Sequence, residues 1–320
     1  WQHMVTFGIA MGLAGNTGYG SVGEVPANYT NWPNPNDAED GDRIDDLLHA
    51  ALNSRGQFVS AADPEAFANG LTAALAAITE RTGSFSNVGA NSTSVDGGTR
   101  VYQASYVSGV WTGELAAFPI TNNVVSASPA WRASAGVPAT GRRIFAGNDA
   151  GNGAVVFPDG LSATRKATMA RTGASYYPVT ADQNLDYIAG GRSLEQSNNG
   201  TLRNRNHLFG DVVTSSPAYV KDTDTIYVGA NDGMLHAING ANGNELFTYI
   251  PGGINWSDLA SLSRPDYSHR YFVDGPITVS SRAQAGGRNI LVGALGKGGK
   301  GVYALDVTNP SGFTTASFKW

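Results

Sequence analysis

Several stretches hold residue types that do chemistry elsewhere, at spacings close to what that chemistry needs. Gly293-Ala-Leu-Gly-Lys-Gly-Gly-Lys-Gly301 has the glycine and lysine content of a phosphate-binding loop. No Ser or Thr follows a Gly-Lys pair, and a strand pattern comes next, so no helix N-terminus meets a phosphate and the stretch reads as a flexible hairpin. Ser257, Ser261 and Ser263 stand near Asp258, but no Gly-x-Ser-x-Gly elbow presents a nucleophile. The acidic run Asp37-Ala38-Glu39-Asp40-Gly41-Asp42 suggests calcium. Its alternating positions are not all oxygen donors, and no Glu closes the loop. Asp42 is instead expected to cap a helix whose first turn holds Asp45 and Asp46. His3, His49, His207, His236 and His269 are scattered without a metal-ligand spacing and read as core or surface residues. Trp111, Trp131, Tyr227 and Trp320 have the rings of a sugar or quinone pocket, but their recurrence at comparable repeat positions points to packing between sheets. No carboxylate pair stands in a frame a glycosidase would need. Composition and spacing thus assign no catalytic, cofactor-binding or metal-ligating residue, and the chain reads as a binding or assembly module, not an enzyme.

Elements that would position these residues follow from periodicity. Val5, Phe7, Ile9 and Met11 alternate as in a strand. A helix from Asp42 carries Ile44, Leu47, Leu48 and Ala51 on one face and ends at Arg55-Gly56. Residues 56–60 read as a short edge strand. Asp63-Pro64 then opens a second helix carrying Phe67, Leu71, Leu75 and Ile78, which stops at Arg81-Thr82-Gly83. Strand, helix, strand, helix is the texture of an α/β sheet domain. From Ser84 to Trp320 helical periodicity nearly vanishes, and short alternating strands separated by glycine turns predict an all-β domain. Its clearest unit runs from Thr225 to Pro251, with hairpins at Asn231-Asp232-Gly233 and Asn242-Gly243, where positive dihedrals suit Asn, Asp and Gly. Residues 288–320 repeat it, Tyr303 aligning with Leu235 and Ala304 with His236 or Ala237. Weaker copies lie at 101–131 and 143–157. The expected fold is mainly β, about three to four blades of a propeller.

The chain has 320 residues, 21 basic against 26 acidic side chains, 41 glycines and no cysteine. A net charge of -5 argues against a nucleic-acid partner. No apolar run is long enough for a transmembrane segment. Disulfides, thiolate metal sites and covalent haem are excluded. The opening Trp1 and the closing strand at Trp320 read as a piece of a longer chain with its export signal upstream.

Gly210-Asp-Val-Val-Thr-Ser-Ser-Pro-Ala-Tyr219, followed by Tyr227-Val-Gly-Ala-Asn-Asp-Gly-Met-Leu-His-Ala-Ile238, resembles the signature of the type IV pilus PilY1/PilC family. The segments 1–6, 44–58, 101–104, Arg203-Asn-Arg205 and 300–306 agree with it, so the resemblance covers nearly the whole chain. It implies that residues 1–83 are the C-terminal part of an α/β von Willebrand A-like domain and that 84–320 are a β-propeller of the quinoprotein-like type. It further implies a tip adhesin and assembly factor supporting pilus biogenesis, twitching motility and surface attachment. Its implied partners are pilin, minor pilins or other pilus assembly proteins and a host or abiotic surface. Its implied place is the exported cell surface, at the pilus tip or outer membrane of a Gram-negative bacterium. Calcium (Ca2+) is the ion the resemblance implies, held in an Asp-x-Asp-x-Asp-Gly loop of a later blade; neither that loop nor the Asp-x-Ser-x-Ser sequence of an A domain occurs here. Some relatives carry Arg-Gly-Asp after a Tyr-Leu pair, whereas this chain has Tyr187-Ile-Ala-Gly-Gly-Arg192-Ser193. The blade wording is also similar to quinoprotein (PQQ) dehydrogenase propellers. Ala237, Asn242-Gly243 and Phe247 follow that motif loosely, with Asn239 and Phe247 replacing its Asp and Trp. Such an enzyme, or another carbohydrate- or protein-binding surface propeller, is the alternative reading.

Overall fold

The computed structural model describes residues 5–12, 14–61, 67, 68, 71, 83–90, 100–173 and 177–320. The chain divides into two compact units, Trp1–Thr82 and Gly83–Trp320. His3 and nearly all of the second expected helix lie outside the described residues.

In the first unit β1 (Phe7–Met11) pairs in parallel with β2 (Gln57–Ala61), Phe7 opposite Gln57 and Met11 opposite Ala61. Parallel neighbours need a long crossover, and α1 (Asp40–Asn53) lies within it. Leu48 and Ala51 of α1 pack with Ala10, Val25 and Phe58, while Ile44 and Trp32 flank this core. Leu47, expected on the same face, is exposed.

Asp42 does not cap α1. The helix starts earlier, with Glu39 as an N-cap that makes no side-chain cap bond. Asp42 instead accepts from Asn16 Nδ2 at 2.7 Å, and Asp45 accepts from the Thr17 amide and hydroxyl at 2.9 and 2.5 Å. The two buried acids therefore fasten the preceding loop to the helix, while Asp46 stays exposed. Replacing Asp45 by Ala leaves both Thr17 donors without their acceptor and is expected to cost about 1–3 kcal/mol. A lower urea midpoint for the first unit is the expected readout; an unchanged midpoint would mean that water replaces the carboxylate.

The second unit begins with an antiparallel sheet of β3 (Gly83–Ala90), β4 (Arg100–Val107) and β5 (Thr112–Thr121), extended by β6 (Val124–Val125) and β7 (Trp131–Arg132), both on β5. Next come α2 (Ala133–Gly136) and a hairpin of β8 (Ile144–Gly147) and β9 (Ala154–Val156). Two more helices follow, α3 (Ala163–Thr168) and α4 (Ala181–Ala189). β10 (Ala218–Val220), β11 (Thr225–Gly229), β12 (Leu235–Asn239) and β13 (Glu245–Ile250) form an antiparallel meander. After α5 (Trp256–Leu259), β14 (Ile277–Val279), β15 (Ile290–Ala294) and β16 (Val302–Asp306) make a third sheet. Bonds between Ala304 and the segment Lys319-Trp320 extend its free edge.

Three features depart from the sequence reading. The second unit is not free of helices. α4 is capped by a Thr180–Gln183 capping box and stopped by Gly190 at φ 123°, both signals readable in the sequence. The copy at 143–157 makes no sheet of its own, because β8 adds in parallel to the edge of β13, Ile144 opposite Thr248. Among the described residues the sheets do not close into a ring. The repeat alignment itself matches the pairing register: Leu235 stands opposite Gly229 as Tyr303 stands opposite Gly293, which puts Ala304 at the position of His236.

The meander is buried on both faces, so its strands lose the alternation expected of half-exposed strands. Ile226, Val228 and Ile238 pack with Tyr102, Leu115 and Ala117 of the first sheet. Tyr227, Ala237, Phe247 and Tyr249 pack with Leu291, Tyr303 and Leu305 of the third. Trp131 bridges the first pair of sheets: its indole N–H donates to the Gly240 carbonyl at 3.0 Å. Its ring lies where a Cβ on Gly243 would stand.

Candidate functional site

The turn between β11 and β12 organises the most polar part of the interior. Ala230 N–H donates to the Met234 carbonyl at 2.9 Å, and Gly233 takes φ +93°. Asn231 and Asp232 do not share the positive φ expected of them; their side chains serve as struts instead. Asn231 donates to Asp211 Oδ2 at 2.9 Å and accepts from the Phe272 amide at 3.0 Å. Asp232 accepts from the amides of Gly210 and Met234, both at 3.1 Å.

Asp232 also faces His236, which is fully buried with Nε2 2.9 Å from Asp232 and Nδ1 3.0 Å from Glu245. Glu245 in turn takes both ends of a bidentate pair with Arg142, at 2.7 and 2.8 Å. With a carboxylate at each nitrogen, the imidazole is held as a cation donating on both sides. Burial works against that charge, but the Asp232 carboxylate and the bonds to Asp232 and Glu245 prevail and raise His236 to about 9. Burial likewise opposes ionisation of Glu245, yet Arg142 and His236 hold it down at about 2. A row of acid, base, acid, base results, Asp232, His236, Glu245, Arg142, with its last three members buried and Asp232 at its partly exposed end.

Beside this row opens a narrow cleft of about 40 Å³. Trp111, at the tip of the β4–β5 hairpin with φ 53°, forms part of its wall and stacks on His269 with centroids 3.8 Å apart. His269 Nε2 lies 2.7 Å from Asp211 Oδ2. Three guanidinium groups reach the cleft. Arg142 is paired with Glu245, and Arg205 is paired with Glu195 at 2.8 Å and stacked on Tyr187. Arg203 lies over the Tyr267 ring, 4.6 Å from its centroid. Burial holds the His207 imidazole below its ordinary value, so it is neutral at pH 7.

The other residues singled out in the sequence do not converge here. Asn255 caps α5 through the amides of Ser257 and Asp258, Ser261 donates to the Asp258 carbonyl, and Ser263 accepts from Arg171. No histidine stands among these contacts. The lysine-rich loop spans the β15–β16 hairpin with a single 3₁₀ turn. His49 stacks on Trp32. Tyr227 is buried between sheets, and Trp320 is exposed. Arg192 pairs with Glu195. In the acidic run Asp37 accepts from the Glu39 amide, Asp40 pairs with Arg43, and Asp42, like Asp45 beyond it, is bonded to the preceding loop. Among the described residues no group of three or more His, Asp or Glu is placed to hold a metal ion.

The profile of the PilY1 beta-propeller domain matches residues 202–319, the stretch that contains the polar turn and most of the cleft. The type IV pilus biogenesis factor PilY1 of Pseudomonas aeruginosa strain UCBPP-PA14 is 31% identical over 97% of this chain. The chain belongs to the PilY1 family. The PilY1 homolog of Xylella fastidiosa strain Temecula1 is 31% identical over 79% of it. This chain spans 31% of the length of the first PilY1 relative and 22% of the second. No solved structure gives a significant match. No helix among the described residues is long and apolar enough to cross a membrane.

Proposed function

We propose that this chain is the central part of an exported, pilus-associated factor that supports type IV pilus assembly, twitching motility and surface attachment, without enzymatic activity. Under this reading residues 1–83 close a von Willebrand A-like domain and 84–320 begin a propeller that presents loops to pilin, minor pilins or a host or abiotic surface. The observation that carries it is the 31% identity to a type IV pilus biogenesis factor across 97% of the chain. The rigid signature turn, whose polar side chains are consumed by struts, agrees with a scaffold. Calcium belongs, under this reading, to other parts of the full-length protein.

The test is a deletion of residues 202–319 from the chromosomal full-length gene, with sheared surface pilin, twitching zone and attached biomass measured together. Loss of surface pilin and twitching is expected, with the truncated protein still detectable by immunoblot. Wild-type piliation, twitching and attachment would overturn the reading.

A further inference from the structure

An asparagine followed by glycine is open to attack by its own chain, because glycine brings no side chain to shield the amide nitrogen that follows the asparagine. Five such pairs occur here, beginning at Asn69, Asn152, Asn199, Asn239 and Asn242. The first lies outside the described residues. In three of the others the fold has already engaged that nitrogen. The Gly200 amide donates to the Glu195 carbonyl at 3.0 Å, the Gly240 amide to the Asp224 carbonyl at 2.7 Å and the Gly243 amide to the Asn239 carbonyl at 2.9 Å. A bonded N–H keeps its proton and its place, so those three asparagines are guarded. The Gly153 amide makes no such bond among the described residues. It follows the exposed Asn152 in the loop that closes the β8–β9 hairpin.

A neighbouring side chain adds a second bias. Asn148 Nδ2 donates to Asn152 Oδ1 at 3.0 Å, while Asn148 Oδ1 accepts from the Asn152 amide at 3.1 Å. A donor on Oδ1 draws electron density from Cγ and steadies the oxyanion that forms when a nucleophile adds there. We propose that Asn152 is a site of spontaneous deamidation, with water as the only co-reactant. Gly153 N bonds to Asn152 Cγ, and the side-chain nitrogen departs as ammonia with the proton that Gly153 gives up. Water then opens the resulting succinimide ring at either carbonyl, leaving aspartate or isoaspartate at this position. Nothing is oxidised or reduced. Either product adds a negative charge to the loop that already holds Asp149. Isoaspartate also adds a methylene to the backbone of a hairpin whose outer strand, β9, is the edge of a six-stranded sheet. Loop length fixes hairpin register, so the longer loop loosens β9 from β8.

The experiment ages the purified chain at mildly alkaline pH and follows each Asn-Gly pair by peptide mapping with mass spectrometry, a guanidinium-unfolded sample being aged in parallel. Conversion of Asn152 is read as a gain of about one dalton, with isoaspartate detected by enzymatic methylation. In the folded chain it is expected to run at least about tenfold faster than conversion of Asn199, Asn239 or Asn242, whose glycine amides must first be freed by local opening. In guanidinium the four rates should come within about fivefold of one another, since the same residue follows each asparagine. The melting temperature of the aged parent is expected to fall. That of an aged Asn152→Gln variant, whose longer side chain closes the ring far more slowly, is expected to hold. Asn152 reacting no faster than the three guarded asparagines would overturn the proposal. A preference for Asn152 as strong in guanidinium as in the folded chain would overturn the role given to the hydrogen bonds. An undiminished melting temperature in fully converted protein would overturn the loosening of the hairpin.

Discussion

Glu245→Gln is expected to lower the unfolding free energy of the second unit by about 3–5 kcal/mol, because it leaves the buried Arg142 guanidinium facing a neutral group. Both side chains are almost inaccessible, 3% and 2% exposed, so water cannot take over the pairing. The companion double substitution Arg142→Met with Glu245→Leu removes both charges and should cost less than the single one, since well-packed apolar pairs replace buried ion pairs at little cost. A loss below about 1 kcal/mol for Glu245→Gln would show that the pair is solvated and the row ineffective. The same row fixes the pH dependence. His236 has a folded value raised from 6.5 to about 9, so its contribution is full below pH 6.5 and is lost as pH climbs towards 9. Glu245 has a folded value lowered from 4.5 to about 2, so its contribution is full above pH 4.5 and is lost as pH falls towards 2. Melting temperature is therefore expected to peak between those limits, at pH 4.5 to 6.5. In Glu245→Gln the alkaline decline should shrink; an alkaline limb as steep as that of the parent would sink the assignment to His236.

Gly233→Val is expected to destabilise by about 2–5 kcal/mol, as two penalties add. A β-branched residue at φ +93° costs about 1–2 kcal/mol in backbone strain. The new Cβ would lie 2.5 Å from Leu259 Cδ1, a side chain with no exposed surface, and such overpacking costs about 1–3 kcal/mol more. For a unit of this size each kcal/mol lowers the melting temperature by about 2–4 °C. An unchanged melting temperature accompanied by lost attachment would mean that the turn itself is a contact surface and not a structural brace.

How much of this was legible in the sequence depends on the range of the interaction. The two glycine hairpins and the Leu235–Tyr303 correspondence were readable because both are set by residues adjacent in the chain. The charged row was hidden. Regular alternation puts Glu245 on the face of Phe247 and Tyr249, away from His236, which pairs with Thr248; the β-bulge between Ala237 and Ile238 shifts the register so that Ile238 pairs with Glu245 and the two charged residues share a face. Arg142 was not within reach, because it joins them only through the parallel pairing of β8 with β13, which no local pattern announces. The cleft was equally hidden. Tyr187, Arg203, His207 and Trp111 come from a helix, a connecting segment and a distant hairpin, and each taken singly looks like an ordinary surface or core residue. Asp42 was misread as a cap because the donors that claim it, on Asn16, lie 26 residues earlier.

The parallel seam between β8 and β13 also bears on how the chain acquires its structure. Arg142 and Glu245 are 103 residues apart, and the strands they flank cannot zip together until the whole intervening segment has been drawn into a loop. Closing a loop of that length forfeits chain entropy before any contact repays it, and folds dominated by such distant pairings reach their native state slowly, in about milliseconds to seconds. The β10–β13 meander, built from neighbouring hairpins, can assemble first. It would then wait with the outer edge of β13 unpaired until β8 arrives. During that interval the open edge is a template for another strand, so a chaperone that shields strand edges should raise the refolding yield of this chain.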